Sequence, residues 1–405
     1  MYTHVRPKLR VGFVLTELIG GGAERSMLSI IGALDRDRFD PVLILFERRI
    51  EHDLPRDVPL HVLSRRGVVG PGRMVSRIFE LAALARRERL DLLVSFLTGP
   101  NLVATLAARR AGIPSLAGER SAPSFVLSRS NRQLRAPWLW SLLVRRIYPL
   151  ASAILANTEG AKQELVAWLG VAPERITVVP NPIDLDRVRT LAAEPLDDPD
   201  LSGRPAIVHV GRFTYAKDHA TLLHAFARVR AARPSTTLIL VGGGEDEARV
   251  RALSASLGLG RDVVFTGFTR NPYRYLAGAT LSVLSSRFEG LPNALIEAMA
   301  LGIPIVSTAC PYGPVELLHD GECGVLVPVG DATALADAVI GLLDDRTRRL
   351  ALGAAGRARA REFGVDRIAH RYEALFEATA SGLVPGAALK SSRDASRRTS
   401  PDIPR

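Results

Sequence analysis

Apolar runs and segments with one apolar face follow one another along the chain, in a pattern typical of a parallel sheet covered by helices. Short, nearly continuous apolar runs recur, and longer segments with one apolar face separate them. In the first half these runs are LRVGFVL (Leu9–Leu15), PVLILF (Pro41–Phe46), DLLVSFL (Asp91–Leu97), SAILAN (Ser152–Asn157) and ITVVP (Ile176–Pro180). Strands without a polar face are buried on both sides of a sheet, so this half predicts a doubly wound α/β domain.

The same pattern begins again after a polar interruption. The stretch from Pro180 to Pro205 is rich in Pro, Asp and Gly, which is typical of a connection between domains. Five further apolar runs begin at Pro205, Thr236, Asp262, Ala279 and Gly302. We therefore predict two Rossmann-like, doubly wound domains facing a central cleft, because ligands of such sheets bind at the carboxyl ends of the strands.

The domain boundaries are predicted from these interruptions. An N-terminal domain is expected over residues 1–183, an interdomain linker over 184–204 and a C-terminal domain over 205–365. A C-terminal helix over 366–380 could return to the N-terminal domain. The polar segment 381–405 has the composition of a disordered tail.

Two carboxylates occur in RFEGLPNALIEAMALGIPIV (Arg287–Val306), where the pattern predicts apolar surroundings. Glu289 follows the strand Ala279–Ser286, and Glu297 falls in the second turn of a helix expected to begin at Pro292. A buried carboxylate needs a partner. Either Glu289 interacts with the helix N-terminus and Glu297 with an arginine, or both accept hydrogen bonds from ligand hydroxyls such as a ribose or pyranose diol.

Two cations follow the first strand of the second domain, in GRFTYAKDH (Gly211–His219). Arg212 and Lys217 are expected at the strand end that faces the predicted cleft. Two cations at this place suit a diphosphate, on which negative charge develops when a sugar leaves. The alternative is ordinary surface charge before an exposed helix.

A glycine-rich loop follows the first strand, in TELIGGGAERS (Thr16–Ser26). Glycines between a strand and a helix let the backbone approach a phosphate at the helix N-terminus. The segment lacks the lysine of a Walker loop, and as a dinucleotide fingerprint it is incomplete. Gly20 and Gly22 fit, but Arg25 stands at the third glycine position. Because Glu47 ends the second strand, a nicotinamide site stays open as an alternative.

Two further segments have more than one interpretation. VGGGEDEARV (Val241–Val250) is a second partial match to the dinucleotide pattern. Tyr273 and Tyr275 could flank a nucleobase or could simply pack in the core.

Composition limits the classes of protein that the chain can be. No apolar run reaches the roughly 20 residues of a membrane-spanning helix, and the N-terminus shows no signal-peptide pattern. The two cysteines, Cys310 and Cys323, form neither a disulfide framework nor a zinc motif. A reducing, cytoplasmic environment is therefore expected.

The net charge of +11 is unevenly distributed. Residues 1–185 carry 26 Lys and Arg against 17 Asp and Glu, whereas residues 186–405 carry 27 against 25. The basic excess peaks over Arg120–Tyr148, which has six arginines, no acid, and both Trp138 and Trp140. This segment could contact anionic lipid or be an ordinary basic surface. Nucleic acid is not expected as a partner, because no nucleic-acid-binding motif accompanies the arginines.

In combination these segments resemble a known family. GRFTYAKD, VVPNPID, RFEGLPNALIEAMALGIPIVST and CPYGPVELLHDGECGVLVPVGD, with GGGAERS and NTEGAKQEL in the first half, resemble glycosyltransferases of family 4. That family has the GT-B fold, depends on nucleotide sugars and transfers the sugar with retention. The resemblance extends over about residues 9–375.

The resemblance implies a role for each matching residue. Arg212 and Lys217 would bind the donor diphosphate, and with Glu289, which would contact the donor sugar, they form the expected catalytic set. Glu297 would hold the ribose hydroxyls. The remaining expected donor-binding residues are Gly21, Gly22, Gly290, Leu291 and Asn293.

One position departs from the family pattern. Many relatives carry a histidine after the strand that PSLAGERSAP resembles, and here Glu119 and Arg120 stand there. These two residues could contact the acceptor or the sugar instead. The resemblance also implies transfer without a metal, and the chain shows no Asp-x-Asp metal motif at a strand end. No metal or other cofactor is expected.

The sequence therefore predicts a cytoplasmic glycosyltransferase. It would move a hexose or N-acetylhexosamine, with UDP as the expected nucleotide, to a hydroxyl of a growing lipid-linked or surface-polysaccharide glycan. Peripheral attachment to the inner face of the plasma membrane would account for the basic N-terminal half. Three alternatives stay open: a nucleotide-sugar epimerase of the same fold, a dehydrogenase, and a non-catalytic membrane-associated scaffold.

Overall fold

The structure is a computed structural model that describes residues 8–19, 21–63, 71–120, 137–196 and 204–383. It divides into two compact units, Met1–Pro182 with Val365–Arg405 and Ile183–Gly364. Each unit contains one parallel sheet with helices between its strands, so the predicted α/β class is confirmed.

The sheet of the first unit is parallel throughout the described residues. Its strands are β1 (Leu9–Leu15), β2 (Phe39–Leu45), β3 (Leu60–Val62), β4 (Leu92–Phe96), β5 (Ser115–Gly118), β6 (Ala153–Ala156) and β7 (Ile176–Val178). They pair in the order β3-β2-β1-β4-β5-β6-β7. Successive side chains of a strand point to opposite faces. Phe13 and Leu15 accordingly enter one apolar cluster, and Val14 enters another.

Helices cover this sheet, and the last of them comes from the far end of the chain. The described helices of the first unit are Gly22–Ala33, Pro71–Arg87, Thr98–Ala111, Pro137–Ile147, Glu159–Leu169 and Val365–Ala380. Phe376, on the last helix, makes edge-on ring contacts with Phe13 and Phe39 at centroid distances of 5.8 and 6.0 Å. The final helix therefore completes the core of the first unit.

The second unit repeats the design with a smaller parallel sheet. Its described strands are β8 (Ala206–Val210), β9 (Thr237–Val241), β10 (Val263–Gly267), β11 (Leu281–Leu284), β12 (Ile305–Thr308) and β13 (Val325–Val327). They pair in the order β10-β9-β8-β11-β12-β13. The described helices are Leu185–Ala192, His219–Ala232, Glu247–Ser256, Tyr273–Ala277, Asn293–Leu301, Gly313–Leu317, Ala332–Asp344 and Arg346–Ala360.

The strand orders define a switch point in each sheet. In the first unit, the chain leaves β1 toward β2 on one side and later resumes at β4 on the other. In the second unit, β8 and β11 are the neighbours between which the order reverses. Ligands of open parallel sheets bind beyond the carboxyl ends of such strands. The segments that follow β8 and β11 hold Arg212, Lys217 and Glu289, and Gly21 and Gly22 follow β1.

Part of the expected linker is ordered as a helix. Within residues 184–204, the structure forms the helix Leu185–Ala192, whose Val188 is buried in the second unit. Asp184 caps this helix through a bond from the Arg187 amide. The polar composition of this stretch did not indicate the helix, whose Val188 packs into the apolar core. Residues 197–203 of the expected linker and 384–405 of the expected tail lie outside the described residues.

None of the helices in the described ranges combines the length and the apolar character needed to cross a membrane.

Candidate functional site

The loop after β8 is held in place by a glycine loop after β9. The Phe213 amide donates to the Gly243 carbonyl at 3.0 Å, and the Asp246 amide donates to the Phe213 carbonyl at 3.0 Å. Gly242, with φ +138°, approaches so closely that a Cβ there would collide with the Gly211 carbonyl oxygen. VGGG, which the sequence matched to a dinucleotide pattern, therefore braces the loop that carries Arg212.

Arg212 is the exposed cation of this loop. It makes no hydrogen bond or ion pair with any residue in the described part of the chain. Its guanidinium offers five N–H donors in a fixed geometry that matches phosphate oxygens. The expected diphosphate contact of Arg212 is thus sterically open.

Lys217 is fixed by backbone contacts on both sides of its turn. The 3₁₀ turn Tyr215–Lys217 lies between the ends of β8 and β11. The Ser285 hydroxyl donates to the Lys217 carbonyl at 2.8 Å, and the Arg287 amide donates to the Ala216 carbonyl at 2.8 Å. These bonds attach the turn to the segment after β11, so Lys217 lies at the switch point.

Glu289 has two partners within the second unit. Lys217 Nζ lies 2.5 Å from its Oε1, and the Ser286 hydroxyl donates to the same oxygen at 2.6 Å. Only 19% of the Lys217 side chain and 12% of the Glu289 side chain are exposed. The nearby helix begins at Asn293 and has no acid in its first turn. The partners of Glu289 are therefore a cation and a hydroxyl, and the helix-terminus interpretation is not needed.

A second glycine contact holds the Glu289 loop. The Glu289 amide donates to the Pro311 carbonyl at 3.0 Å. A Cβ on Gly313 would collide with the carbonyl oxygen of Gly290. Sequence reasoning missed Gly313 as a supporting residue. Gly313 lies in the family-like segment CPYGP, but only the three-dimensional packing shows that its missing side chain makes room for the Gly290 carbonyl.

Glu297 lies on the buried helix Asn293–Leu301. Its exposed fraction is 1%, and its Oε1 lies 3.5 Å from the Tyr273 hydroxyl. Leu291 and Asn293 are buried in the same region. Pro292, which suits a first helical position, is the N-cap of this helix, which spans Asn293–Leu301.

The two tyrosines pack in the core rather than at the surface. Tyr273 and Tyr275 are both buried and belong to the apolar cluster beneath that helix. The packing interpretation of these residues therefore holds, and Tyr273 also contacts Glu297.

Burial and the charges of the Lys217–Glu289 pair shift the pKa values of three nearby groups. Burial, followed by the Glu289 charge, raises the pKa of the Cys310 thiol to about 12. Burial, followed by the Lys217 charge, lowers the pKa of His209 to about 4. Burial, followed by the neighbouring His209 and Lys217, lowers the pKa of His219 to about 2. All three groups are thus neutral at neutral pH.

The predicted residues of the first unit lie at the carboxyl edge of its own sheet. Gly21 is the N-cap of the helix Gly22–Ala33, and a Cβ on Gly21 would collide with the Glu24 carboxylate. A side chain on Gly21 would therefore require the Glu24 carboxylate to move. Gly20, the other glycine of the predicted fingerprint, lies outside the described residues.

Glu119 is a buried residue with hydrogen bonds inside the first unit. The Tyr148 hydroxyl donates to its Oε2 at 2.8 Å, and the Thr98 hydroxyl donates to the same oxygen at 3.2 Å. Burial, and then the Glu119 charge, raises the pKa of Tyr148 well above its ordinary value.

Arg120 is buried beside it in a similar network. Its guanidinium donates to the Asn181 side chain at 3.1 Å and to the Tyr372 hydroxyl, and it lies 3.6 Å from the Phe96 ring centroid. An acceptor or sugar contact by Glu119 or Arg120 stays a prediction, and the structure adds a positioning role within the sheet edge.

No group of three or more His, Cys, Asp or Glu side chains in the described ranges is arranged to hold a metal ion. Arg212 and Lys217 are the two cations that the sequence predicts here, and Arg287, nearby, pairs with Asp218.

Comparisons with known proteins agree in both halves of the chain. The model described as Glycosyltransferase Family 4 matches residues 20–187, and the model described as Glycosyl transferases group 1 matches residues 198–359. A 2-deoxystreptamine glucosyltransferase of Streptomyces kanamyceticus is 31% identical over 330 residues, covering 76% of this chain and 83% of the relative.

A second relative matches over almost its whole length. It is the N-acetylgalactosamine-N,N'-diacetylbacillosaminyl-diphospho-undecaprenol 4-alpha-N-acetylgalactosaminyltransferase of Campylobacter jejuni. It is 29% identical over 367 residues, covering 89% of this chain and 97% of the relative. Among solved structures, Anabaena HepE in complex with UDP-glucose superimposes with a TM-score of 0.76 at 21% identity, covering 93% of this chain and 100% of that one.

The two parallel sheets and these matches define an enzyme, a glycosyltransferase with the GT-B fold. Both halves of the chain match models of such enzymes, and a relative above 30% identity is matched over most of its length. The chain belongs to glycosyltransferase family 4.

Proposed function

We propose that the protein transfers a sugar, with retention, from a nucleoside diphosphate to a hydroxyl of a growing glycan. The observation that carries this proposal is the arrangement at the β8–β11 switch point. There the Lys217–Glu289 pair, with Nζ and Oε1 2.5 Å apart, lies on segments next to exposed Arg212 and buried Glu297. Two cations and two carboxylates match the two phosphates and the two diols of a nucleotide sugar.

The proposed chemistry assigns one task to each of the charged groups. Arg212 and Lys217 neutralise the charge that develops on the leaving diphosphate, and such preorganised charge stabilises a transition state strongly. Glu289 accepts hydrogen bonds from the donor sugar, and Glu297 accepts them from the ribose. Because these two cations supply the positive charge, the proposed reaction requires no metal or other cofactor.

The nature of donor and acceptor is proposed from the relatives. The Campylobacter enzyme is named for transfer of N-acetylgalactosamine onto a diphospho-undecaprenol glycan. The matched Anabaena structure contains UDP-glucose. Other relatives are named for lipopolysaccharide synthesis, including a core glycosyltransferase of Rhizobium meliloti and a 1,6-galactosyltransferase of Salmonella typhimurium. These names support a UDP-hexose or UDP-N-acetylhexosamine donor and a lipid-linked or surface-polysaccharide acceptor.

A membrane surface is proposed as the place of the reaction. On the helix Pro137–Ile147, Trp138 is 71% exposed and Leu142 is 46% exposed. Arg145 and Arg146, in the last turn, are exposed as well. Exposed apolar side chains with adjacent arginines suit the interface of an anionic bilayer. Residues 121–136 of the predicted basic segment lie outside the described residues.

The function is tested first by binding and then by turnover. A panel of nucleotide sugars should contain one or more that raise the melting temperature, because a ligand of the folded state stabilises it by mass action. The stabilising donors are then incubated with undecaprenyl-diphosphate glycans, and the products are identified by mass spectrometry. Conversion of the donor sugar without acceptor would indicate an epimerase instead. Absence of both binding and turnover across the panel would favour the scaffold alternative.

A further inference from the structure

His209 joins the two strands that flank the switch point. It lies on β8, with an exposed fraction of 0%, and its Nδ1 is 2.9 Å from the Val283 carbonyl on β11. A carbonyl can only accept, so Nδ1 carries the proton and donates. The other ring nitrogen, Nε2, is then an unprotonated acceptor. The β8–β11 ladder pairs Leu281 with Ile207 and Ser282 with Val208, so the imidazole makes the next contact beyond it.

The lone pair on His209 Nε2 has no hydrogen-bond partner among the residues that the structure describes. Nε2 is buried and accepts no hydrogen bond from any residue in the described ranges. Buried polar atoms are nearly always satisfied, so an exception in a site calls for a reason. The aromatic neighbours offer none. The His219 ring meets His209 edge-on, with centroids 4.8 Å apart, and stacks on Phe213 at 4.3 Å.

The space next to Nε2 is bordered by the catalytic lysine. A Cβ built on Gly211 would lie 3.1 Å from His209 Nε2 and 3.3 Å from Lys217 Cε. The imidazole nitrogen and the lysine stem therefore border the same small gap, which the missing side chain of Gly211 leaves open. The ammonium is one bond beyond Cε, so rotation about the Cδ–Cε bond determines which acceptors it meets.

We infer that His209 is a positioning residue of the reaction, whose Nε2 accepts one N–H of the Lys217 ammonium when the donor is bound. An ammonium has three N–H donors. Glu289 takes one in the structure, the donor diphosphate takes the second, and His209 takes the third. This inference rests on the proposed function, because it assumes that Lys217 contacts the leaving diphosphate.

The protonation state of His209 agrees with this role. Burial and the Lys217 charge lower the pKa of His209 to about 4, so the lone pair is available throughout the neutral range. A protonated imidazole would repel the ammonium instead. The Nδ1 bond to Val283 and the edge-on contact with His219 fix the imidazole plane, which lets Nε2 orient the lysine without contacting substrate.

Two substitutions separate the nitrogen that binds Val283 from the nitrogen proposed to bind Lys217. His209→Asn retains an amide N–H near the position of Nδ1 and loses the acceptor at the Nε2 position. His209→Gln retains an acceptor at the Nε2 position. His224→Asn, at an exposed position of the following helix, is the matched control.

The expected result is a split between turnover and binding. His209→Asn should lower kcat roughly 10- to 100-fold, the effect of losing one hydrogen bond to a charged group. Its KM for the donor should stay within about twofold of the wild type, and His209→Gln should retain more turnover than His209→Asn. A kcat of His209→Asn within about twofold of the wild type overturns the inference. So do equal losses in both variants that follow their loss of thermal stability.

A spectroscopic measurement tests the same contact without turnover. In the wild type with UDP bound, the ¹⁵N signals of the His209 ring should show a protonated Nδ1 and an Nε2 that accepts a hydrogen bond. Lys217→Met should shift the Nε2 signal toward that of a free lone pair, and an unchanged signal would contradict the inference. Failure of the wild type to bind or use any nucleotide sugar would instead contradict the proposed function.

Discussion

Lys217 and Glu289 form a pair that connects stability with the proposed catalysis. Their ion pair is largely withdrawn from water, where removal of one partner leaves the other charge uncompensated. The same two groups must be shared with the donor during the proposed reaction. Residue substitutions here are therefore best judged by turnover together with melting temperature, since either quantity alone mixes the two effects.

Lys217→Ala should lower kcat by a factor of roughly 10² to 10³, as expected for loss of one preorganised charge-stabilising group. The measurement is steady-state transfer with the best donor of the panel. Lys162→Ala, on the helix Glu159–Leu169 of the first unit, is the control and should leave kcat unchanged. Near-normal turnover of Lys217→Ala in a folded protein would remove this lysine from the mechanism.

Glu297→Ala should weaken donor binding about tenfold or more, because the proposed ribose contact is a hydrogen bond to a buried charged group. Titration calorimetry with the nucleotide sugar and with the free nucleoside diphosphate measures the loss. Both ligands should be affected equally, since both contain the ribose. Glu247→Ala, on the helix Glu247–Ser256, serves as the control. Unchanged affinity for both ligands would refute the ribose assignment.

His219 should make the second unit sensitive to mild acid. Its pKa is lowered to about 2 when folded, against about 6.5 when unfolded, so between these values only the unfolded chain binds the proton. The stability that neutral His219 contributes is fully present above pH 6.5 and is lost as the pH falls. Proton binding at His219 in the unfolded chain should lower the free energy of unfolding by about 2 kcal/mol between pH 7 and pH 5.

His219→Phe tests this expectation, because phenylalanine can stack on Phe213 and cannot be protonated. In urea unfolding, the free energy of unfolding should fall less between pH 7 and pH 5 for the variant than for the wild type. An identical fall in both proteins would show that the folded state protonates His219 without cost.

The loops after the strands are fixed by glycines at two points of close backbone approach. Gly242 braces the segment that carries Arg212, and Gly313 braces the segment that carries Glu289. In both places a carbonyl oxygen of the partner loop occupies the volume that a Cβ would need. At the level of elements, the site thus depends on loop–loop packing as much as on the strands beneath.

Gly242→Ala should destabilise the second unit by about 2 kcal/mol or more, since its φ of +138° is unfavourable for alanine and the Cβ would collide with Gly211. Donor affinity should fall with it. Gly341→Ala is the matched control, because this helical glycine has open space around its Cα and alanine favours helix. Urea unfolding and donor titration measure both variants. Equal stability of the two would contradict the bracing role.

Elements of regular structure were predictable because their pattern is local. The apolar run of Leu9–Leu15 and the buried helix around Glu297 follow from sequence periodicity, and the structure shows both. The function of VGGG was not predictable in this way. Gly242 lies against the Gly211 carbonyl and Gly244 against the Phe213 backbone, each roughly thirty residues distant, and no pattern within the segment reports those contacts.

The candidate site was predictable to different degrees in the two units. In the second unit, strand ends and charge placed Lys217 and Glu289 at one switch point, and the structure brings them together. In the first unit, a contact of Glu119 or Arg120 with the acceptor or the sugar stays a prediction, and the structure shows both residues buried in a network with Tyr148 and Tyr372. Hydrogen bonds between distant side chains carry no periodic signal, so sequence alone did not indicate that network.

At the scale of the whole molecule, positive charge is concentrated in the first half of the chain. Residues 1–185 carry nine more basic than acidic side chains, and residues 186–405 only two more. The exposed apolar and basic side chains of the helix Pro137–Ile147 belong to this half. Such an asymmetry favours an orientation on an anionic surface, because each basic side chain near the lipid adds about 1 kcal/mol of attraction.

Flotation with anionic liposomes should show binding that weakens as salt is added, because the added ions screen the attraction between the basic side chains and the lipid. Substitution of Arg145 and Arg146 by Gln should reduce the bound fraction. The matched control replaces Arg86 and Arg87, at the end of the helix Pro71–Arg87, and should bind like the wild type. Binding to neutral and anionic liposomes alike, unaffected by salt, would argue against the proposed charge contact.

The return of the helix Val365–Ala380 to the first unit has a consequence for biosynthesis. The second unit is one uninterrupted segment, Ile183–Gly364, whereas the first is assembled from both ends of the chain. Domains generally form as units while the chain emerges from the ribosome. Here the first unit to be translated cannot close its core until Tyr372 and Phe376 have been made. The second unit can therefore finish folding during translation, and the first unit must wait until the helix Val365–Ala380 has been made.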